Sequence, residues 1–518
     1  MAADLVPISL RAPGFYGLNL QDSPIGMPAE YALVAKNCVI DKLGRVGARK
    51  GWAKLSAYSA SIGTDPVTLI HEFIKADGTQ VVLFIANGHL WSLNMSTGAV
   101  TDLYTGAWSS AGTLAGDEGW QAVTFNGAVY FFKLGQNPFI YNGTTTTLVS
   151  AAAGYAGTVQ TANCVLSAYG RLWTANTTTD KVTFKWSDTL IGPAWTGGAS
   201  GSASIESVLT GGTRAITALA AFNGFLIVFC DKAILIYQGA DEDPSTNLNL
   251  VEVIDGVGCI ARDSVQIVGD DILFLSETGV RSLGRVIDQK SAPFFDVSRN
   301  VRDQLMADVV SNADNNDIIS GYSAVEGFYL LTLRNADKTY CFDLKNRLEN
   351  SVCRVTTWDL VPYCYCYLNT LEFLMGFDGY VGEYSGYNDD AAVYNFEYVT
   401  SHLGGDEEQT LLFKILKHLR AVFIDGGGYS VLFSWGFDYQ GLSRSEAKSL
   451  PASSPISEYN IAEFNIGEYG DPDNVITTMK KQLTGYGQTF QLGILVEMNG
   501  QALSLQQLDI FTKIGRLA

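Results

Sequence analysis

The stretch "VVLFIANGHLWSL", residues 81–93, decides the fold, and "AVTFNGAVYFF", residues 122–132, repeats its pattern. In each stretch an apolar run meets an Asn-Gly pair, and a second apolar run containing an aromatic residue follows. Asn and Gly tolerate the positive φ angles that a two-residue hairpin turn requires. Both stretches therefore predict a β-hairpin made of two largely buried strands.

The hairpin pattern returns at a regular interval. Gly88 to Gly127 spans 39 residues, Gly127 to Gly170 spans 43, and Gly170 to Gly224 spans 54. The later hairpins are "VQIVGDDILFLS" (265–276), "YSAVEGFYLLTL" (322–333) and "LEFLMGFDGYVGEY" (371–384), the last turning at Asp378-Gly379. An all-strand repeat of roughly 40–50 residues is typical of β-propeller blades, which must stack to bury their faces. We expect an all-β protein with a propeller of about six or seven blades; an ordinary multi-strand sandwich is the alternative.

Two segments outside the hairpins predict helices. The first is "PAEYALVAKN", residues 28–37, which begins with a proline suited to a first helical position. The second starts at Ser298, a suitable N-cap, with Val301, Leu305 and Val309 on one face. After about residue 391, long strands separated by polar loops predict an antiparallel sandwich. The expected division is an N-terminal docking arm with a short helix (1–60), a propeller (61–395) and a C-terminal β-sandwich (396–518) that packs with the arm.

Composition limits the classes of function. The 518 residues carry 53 Asp+Glu against 34 Lys+Arg, a net charge of −19, and 47% are hydrophobic. A large folded core is expected, and the charge argues against tight wrapping of duplex DNA. No signal peptide and no apolar run of membrane-spanning length is present, so we expect no membrane segment. The eight scattered cysteines are expected to be reduced core residues of a protein made in a cytoplasm.

Catalytic patterns are weak. The four histidines, His71, His89, His402 and His418, are widely separated, which disfavours a zinc site or a His-based triad. "GVGCIA" (256–261) fits a loose dinucleotide pattern, but strands rather than a helix are expected after it. Five acids at hairpin turns or strand ends are candidates for a pair of glycosidase carboxylates: Asp231, Asp270, Asp271, Glu277 and Glu326. "GADEDPSTN" and "NADNNDI" lack the pattern of a calcium loop. We expect no enzymatic activity and no cofactor.

A compact basic segment near the start contrasts with this acidic background. Residues 36–50 contain one acid, Asp41, and five cations: Lys36, Lys42, Arg45, Arg49 and Lys50. Such a segment suits docking to an acidic neighbour. The alternative is internal pairing, in which Arg45 and Arg49 cap turns or bind acids of the C-terminal sandwich.

Three blocks of sequence resemble the tail nozzle proteins of short-tailed bacteriophages, also called tail tube or packaged-DNA stabilisation proteins. The first, residues 11–52, ends in an Arg-x-Gly-x-Arg-Lys-Gly-like close formed by Arg45, Gly47, Arg49, Lys50 and Gly51. The second, residues 256–283, is similar to a family blade at Ser264, Gly269, Leu275, Gly279 and Val280. The third, residues 485–516, resembles the family's final sandwich strands with their terminal Gly-Arg.

The resemblance implies a structural role in a virion tail, assembled in the host cytoplasm. The family forms a homo-hexameric ring below the portal and adaptor, where it retains packaged DNA and later conducts it outward. The implied partners are the adaptor, tail fibres or tailspikes, and double-stranded DNA that passes without specific binding. The docking candidates toward the adaptor are Lys42, Arg45, Arg49 and Lys50. A glycan-binding or glycan-hydrolysing propeller is the alternative, and a WD-type interaction propeller is disfavoured because Trp358-Asp359 is a single occurrence.

Overall fold

Each of the seven recurring hairpins lies in its own sheet in a computed structural model of the chain. The structure describes the chain except residues 1–4, 25, 42, 104–113, 115, 210–213, 290–296, 312–314, 346, 349–351, 405–411, 452–475 and 516–518. The first six strands come from the N-terminal segment: β1 (Val6–Arg11), β2 (Gly17–Leu18), β3 (Tyr31–Lys36), β4 (Cys38–Ile40), β5 (Val46–Ala48) and β6 (Ala53–Lys54).

The hairpins build a β-propeller, which confirms the predicted fold class. The first four blades are antiparallel four-stranded sheets. Blade 1 contains β7 (Leu69–Ile74), β8 (Gln80–Ala86), β9 (His89–Leu93) and β10 (Val100–Asp102), and blade 2 contains β11 (Gln121–Phe125), β12 (Ala128–Phe132), β13 (Phe139–Tyr141) and β14 (Thr146–Leu148). Blade 3 contains β15 (Ala162–Ala168), β16 (Arg171–Thr177), β17 (Thr183–Trp186) and β18 (Gly201–Ser204), and blade 4 contains β19 (Ile216–Phe222), β20 (Phe225–Cys230), β21 (Ala233–Gln238) and β22 (Asn249–Asp255).

A three-stranded sheet and two further blades complete the ring. The three-stranded sheet has β23 (Gln266–Val268), β24 (Asp271–Ser276) and β25 (Gly279–Ser282). Blade 5 has β26 (Ile318–Ser323), β27 (Phe328–Leu333), β28 (Lys338–Asp343) and β29 (Arg354–Trp358), and blade 6 has β30 (Cys364–Tyr367), β31 (Phe373–Phe377) and β32 (Tyr380–Glu383). The N-terminal β6 pairs with β32 and supplies the fourth strand of blade 6. In the described residues the ring thus holds six four-stranded blades, within the predicted range.

Buried side chains fill every gap between neighbouring sheets of the ring. The gap between blades 1 and 2 holds Phe73, Leu83 and Phe131, and the gap between blades 6 and 1 holds Val82, Leu374 and Val381. Equivalent clusters join the remaining neighbours. A blade alone would expose one apolar face, so closure of the ring is what buries these residues.

The predicted Asn-Gly turns have the expected backbone. Asn87, Asn126 and Asn223 all have positive φ, as do the glycines that follow them. The predicted turn also forms at Asp378-Gly379, since Phe377 pairs with Tyr380, but only Gly379 has positive φ there. Asp378 forms a β-bridge with Pro66.

The N-terminal helix prediction was wrong: residues 31–36 form the strand β3. This strand runs parallel to β2 and antiparallel to β33 (Tyr394–Thr400), so its backbone groups are paired across a sheet. Tertiary pairing here overrides a local pattern that suits a helix. The described helices lie elsewhere: α1 (Pro244–Asn247), α2 (Leu283–Gln289) and α3 (Arg302–Ser311). Helix α3 confirms the second prediction, with Leu305 and Val309 buried, although the Ser298 hydroxyl accepts from the Val280 N–H instead of capping the helix.

Both chain ends contribute to a sandwich of two sheets beside blade 5. The remaining strands are β34 (Lys414–Asp425), β35 (Ser430–Phe437), β36 (Arg444–Ser449), β37 (Ile476–Gln482), β38 (Tyr486–Gly487), β39 (Phe490–Met498) and β40 (Leu503–Ile514). One sheet contains β37-β34-β40-β5-β4, with β1 paired to β40 and β38 to β34. The other continues from blade 5 through β2-β3-β33-β39-β35-β36. Strands of the N-terminal segment and of the sandwich thus share both sheets.

Most of the cysteines lie in the protein core, as expected. All eight cysteines are free thiols, and seven of them are buried, Cys366 being partly exposed. Burial raises the pKa of Cys259 to about 11, so this thiol stays protonated at neutral pH. No helix in the described part of the chain is long and apolar enough to cross a membrane.

Candidate functional site

Arg49, one of the predicted docking residues, lies fully inside the protein. Its two terminal nitrogens donate to the Asp389 carboxylate at 2.8 and 2.7 Å, and Nε donates to the Asn37 side chain at 2.9 Å. The guanidinium also lies 4.1 Å from the centre of the Tyr394 ring. Burial alone would lower the pKa of Arg49, but the Asp389 contacts outweigh it and raise that pKa. Arg49 therefore joins the N-terminal segment to the loop before β33.

The other docking candidates occupy different environments. Arg45 pairs with Asp41 within its own turn, and Arg49 pairs with Asp389, which precedes the predicted C-terminal sandwich (396–518). The Lys50 amine contacts the Glu326 carboxylate at 2.6 Å while 40% of its side chain stays exposed. Lys42 lies outside the described residues. Of the four candidates, Lys50 is the described cation with the most surface available to a partner.

The five acids considered for catalysis are dispersed through the ring. Glu277 pairs with Lys232 at 3.1 Å, and Glu326 pairs with Lys50. Asp271 accepts hydrogen bonds from the Ser282 hydroxyl and the Gly284 N–H. These partners belong to separate sheets and turns, so the structure does not bring the five acids to one site.

A polar cavity occurs instead at the mouth of the propeller. It has a volume of about 560 Å3 and lies where the first strands of several blades begin. Pro66 precedes β7, Gly119 precedes β11, Asn316 precedes β26, and Asn163 belongs to the start of β15. The other lining residues are Gly116, Asp117, Glu118, Lys133 and Leu134. Open funnels of this kind are where propellers commonly hold ligands or substrates.

Asp117 and Lys133 are partly buried at the propeller mouth, and each favours the charged form of the other. Burial raises the pKa of Asp117, whose carboxylate accepts the Gly88 N–H at 2.6 Å. Burial lowers the pKa of Lys133, whose amine lies 3.3 Å from the Gly116 carbonyl oxygen. Both shifts favour the neutral forms, although each group opposes the other's shift. Asp117 and Lys133 are thus hydrogen-bonding groups whose charged forms are less stable in this cavity than in water.

Two arginines, Arg262 and Arg334, contact residues that line the cavity. Arg262 donates to the carbonyl oxygens of Gly119 and Asn163 at 3.2 and 2.7 Å, and it pairs with Asp263. Arg334 contacts the Glu118 carboxylate at 2.9 Å and Asp317 at 3.5 Å. These contacts tie several blades together at the mouth. Each arginine already forms ion pairs with acids of the chain. The main effect of these contacts is therefore to hold the ends of neighbouring blades together.

The sequence-based search missed this cavity because its acids occur in loops before strands. "GDEG", residues 116–119, contains no recognisable motif, and the search considered acids at hairpin turns and strand ends. The hairpin repeat could have indicated the position of this cavity. The first strand of each blade lies at the propeller axis, so the residues preceding those strands meet at one mouth.

His71 lies at the axis side of blade 1. Its Nε2 is 2.8 Å from the Thr124 hydroxyl on β11, so the ring joins the first strands of blades 1 and 2. Burial lowers the pKa of His71 to about 4. The folded protein therefore resists protonation of this ring at pH values where the unfolded chain accepts a proton.

Acidification should consequently destabilise the protein through His71. Between pH 6.5 and 4 the unfolded state binds the proton first, so the free energy of unfolding falls by about 2 kcal/mol as the pH is lowered. Chemical denaturation of the wild type and of His71→Gln at pH 7 and pH 4.5 measures this effect. The variant keeps a donor for Thr124 and should lose less stability on acidification. An identical pH dependence in both proteins would contradict this assignment.

The described acidic side chains were also considered as metal ligands. Among the described residues, no group of three or more His, Cys, Asp or Glu side chains is arranged to hold a metal ion. In "GADEDPSTN" the Asp243 side chain instead accepts the Ser245 N–H and caps α1. The "GVGCIA" stretch enters β23 through a short 3-10 turn at Arg262–Ser264, as expected for a turn leading into a sheet.

Comparisons with known proteins bear on the fold alone. No protein-family model matches the chain, and no curated protein matches it. Among solved structures, the Pan2 WD40 domain of Neurospora crassa is 8% identical with a TM-score of 0.36, over 65% of this chain and 96% of that one. PorZ of Porphyromonas gingivalis is 13% identical with a TM-score of 0.35, and the match covers 70% of this chain and 44% of PorZ. An exo-β-1,3-galactanase from Phanerochaete chrysosporium is 11% identical with a TM-score of 0.28, over 79% and 99% of the two chains.

Proposed function

We propose that the chain is a structural protein of a phage tail, forming the nozzle ring below portal and adaptor. The observation that supports this role most is the meeting of the three family-like blocks in one core. Phe15 and Val46 from the first block, Leu273 and Leu275 from the second, and Leu508 from the third belong to a single buried cluster. Residues separated by hundreds of positions are thus joined where the sandwich adjoins the propeller.

Shared sheets join the N-terminal and C-terminal strands in the region on which the proposed ring is built. In the first sheet β1 and β5 pair with β40, and in the second β3 pairs with β33. Both chain ends are therefore held by main-chain hydrogen bonds of the sandwich. A ring that bears the pressure of packaged DNA needs such firmly anchored ends. The proposed role requires no catalytic step and no cofactor.

The acidic charge suits a wall along which DNA passes. With a net charge of −19, the chain repels phosphate, so double-stranded DNA is conducted without long-lived ion pairs. The proposed assembly is a homo-hexamer whose partners are the adaptor above and fibres or tailspikes around it. Because Arg49 is internal, the docking contribution of the N-terminal cations toward the adaptor falls to Lys50 and the turn containing Arg45.

A phage genome with an amber codon in this gene tests the role. In a non-suppressing host we expect heads that package DNA but fail to retain it, and almost no infectious particles. Restoring the chain from a plasmid should return infectivity, which controls for effects on neighbouring genes. Normal numbers of filled, infectious particles without the chain would contradict the nozzle proposal.

Glycan binding is the second candidate, and the cavity at the propeller mouth is the observation that favours it. Its half-buried Asp117 and Lys133, together with Asn163 and Asn316, offer hydrogen-bonding groups to sugar hydroxyls. Among the described residues of the lining there is no aromatic side chain on which a sugar ring could stack. The nozzle role therefore remains our conclusion.

A further inference from the structure

The outer face of the seven-stranded sandwich sheet concentrates positive charge. We define the basic face by five residues that this sheet exposes: Arg11, Lys417, Arg420, Lys480 and Lys513. Strand register places Arg420 between Lys480 of β37 and Asp509 of β40, on the same face. Asp509 is 2% exposed and lies within 3.8 Å of both Arg11 and Arg420. The single acid in the centre of the face is thus already neutralised.

Three of these cations lack a counter-ion among the residues that the structure describes. No ion pair joins Lys417, Lys480 or Lys513 to an acid within the described ranges. An open cavity with a volume of about 850 Å3 is lined in part by Lys417, His418 and Lys480. A chain with 19 surplus negative charges has ample acids to pair with these lysines, yet none of its described acids forms an ion pair with them. The unpaired charge is a candidate for an intermolecular contact.

Apolar side chains lie beside the cations on the same face. Ile415 is 37% exposed, Tyr486 of the adjoining β38 is 71% exposed, and Ile476 at the start of β37 is 69% exposed. Exposed aliphatic groups gain little from a phosphate backbone but are favourable in a protein interface. The combination of cations and exposed apolar side chains on the basic face therefore favours binding of a protein surface over binding of nucleic acid.

An acidic surface of matching composition lies on blade 4 of the same chain. Between Asp231 and Glu277 the sequence holds ten acids and two cations. We define the acidic edge as the outer strand β22 with the preceding turn, which exposes Asp241, Glu242 and Asp255. β22 is the last strand of its sheet, and its Leu250, Val251 and Val253 are exposed. An edge strand with exposed apolar residues is ready for a further contact.

We propose that the basic face of one copy binds the acidic edge of blade 4 of a second copy. Two different surfaces of the same chain then meet head to tail, and such heterologous contacts close into rings when the rotation between copies allows. Opposite charges fix the direction and register of the contact, while the exposed apolar residues of both surfaces become buried. The inference rests on the proposed nozzle and names the contact between neighbours in its ring.

Carbodiimide cross-linking of a mixture of 14N- and 15N-labelled protein tests the contact, because it joins lysine amines to nearby carboxylates. We expect mixed-isotope products that join Lys417 or Lys480 to Asp241, Glu242 or Asp255. The alternative result is a set of products that each contain a single isotope and join Lys480 to Glu458, Glu463 or Glu468. Such products would show that the basic face binds acids of its own chain, and they would overturn the proposal. Absence of mixed-isotope products at the highest soluble concentration would also overturn it.

Charge reversal gives an independent measurement. The double variant Lys417→Glu with Lys480→Glu should weaken self-association in sedimentation velocity at low salt by about tenfold or more. An equimolar mixture with Asp241→Lys/Glu242→Lys protein should restore association. The matched control, Lys181→Glu with Arg347→Glu, reverses two exposed cations elsewhere and should leave association unchanged.

Two results separate this contact from its alternatives. Binding of a fluorescent DNA duplex that the Lys417→Glu/Lys480→Glu variant loses would assign the face to a polyanion and contradict the proposal. If the chain is present in phage particles but the cross-links and the charge-reversal effect are absent, the nozzle role stands and this contact falls.

Discussion

Replacing Asp389 by Ala should lower the free energy of unfolding by about 3–5 kcal/mol, because it leaves the Arg49 guanidinium buried without its counter-ion. Arg49 has no exposed surface, and both of its terminal nitrogens donate to Asp389. Denaturant titration of purified protein measures the change. Since the pair joins the N-terminal segment to the loop before β33, the loss should also make residues 43–54 accessible to proteases.

A surface pair of the same charge type provides the control. Lys36 and Asp359 are 3.1 Å apart with 42% and 50% of their side chains exposed. Lys36→Ala should cost less than about 1 kcal/mol, as is usual for exposed pairs. Arg49→Lys should remain strongly destabilising, because a lysine amine cannot make the two parallel bonds to Asp389. If Asp389→Ala proves as mild as Lys36→Ala, Arg49 does not have the structural role assigned here.

Replacing Trp358 by Ala should cost about 3–5 kcal/mol through loss of a large buried side chain. Trp358 is 1% exposed at the end of β29, with its ring stacked on Tyr384 and edge-on to Phe328. Its Nε1 donates to the Cys38 carbonyl oxygen at 2.7 Å, which links blade 5 to the N-terminal strand β4. Both blade packing and the attachment of the N-terminal segment should therefore weaken.

Trp358→Phe distinguishes the packing effect from the hydrogen bond. Phenylalanine retains most of the ring contacts, and the Cys38 carbonyl oxygen keeps the Thr356 hydroxyl as a donor at 2.7 Å. We expect this variant to lose about 1–3 kcal/mol in denaturant titration, clearly less than Trp358→Ala. Equal losses in the two variants would mean that filling the space matters little at this position.

The propeller was predictable because its signal is local. Turns such as Asn126-Gly127, flanked by apolar strands, specify hairpins without reference to distant residues, and their spacing specifies the repeat. The strand at residues 31–36 was not predictable in this way. Its partners β2 and β33 lie on opposite sides of it in sequence, β33 more than 350 residues away. A local pattern cannot report a pairing that only the folded chain creates.

The candidate sites show the same contrast. The charge of residues 36–50 was visible in the sequence, but the partner that encloses Arg49 is Asp389, 340 positions later. The cavity at the propeller mouth combines loops that precede strands of several blades. The basic face combines β1 with β34, β37 and β40, which all lie after residue 413. In each case the sequence shows which residues are charged. Their positions relative to one another depend on pairing between strands that are far apart in the sequence.

Counting the chain in purified phage particles tests the central proposal most directly. Quantitative mass spectrometry against the portal protein of the same particles should give about two portal copies per copy of this chain, as a twelve-fold portal above a six-fold ring requires. This measurement does not depend on whether the isolated chain assembles by itself. Absence of the chain from particles, or a ratio far from about two, would contradict the nozzle ring and make glycan binding at the propeller mouth the leading account.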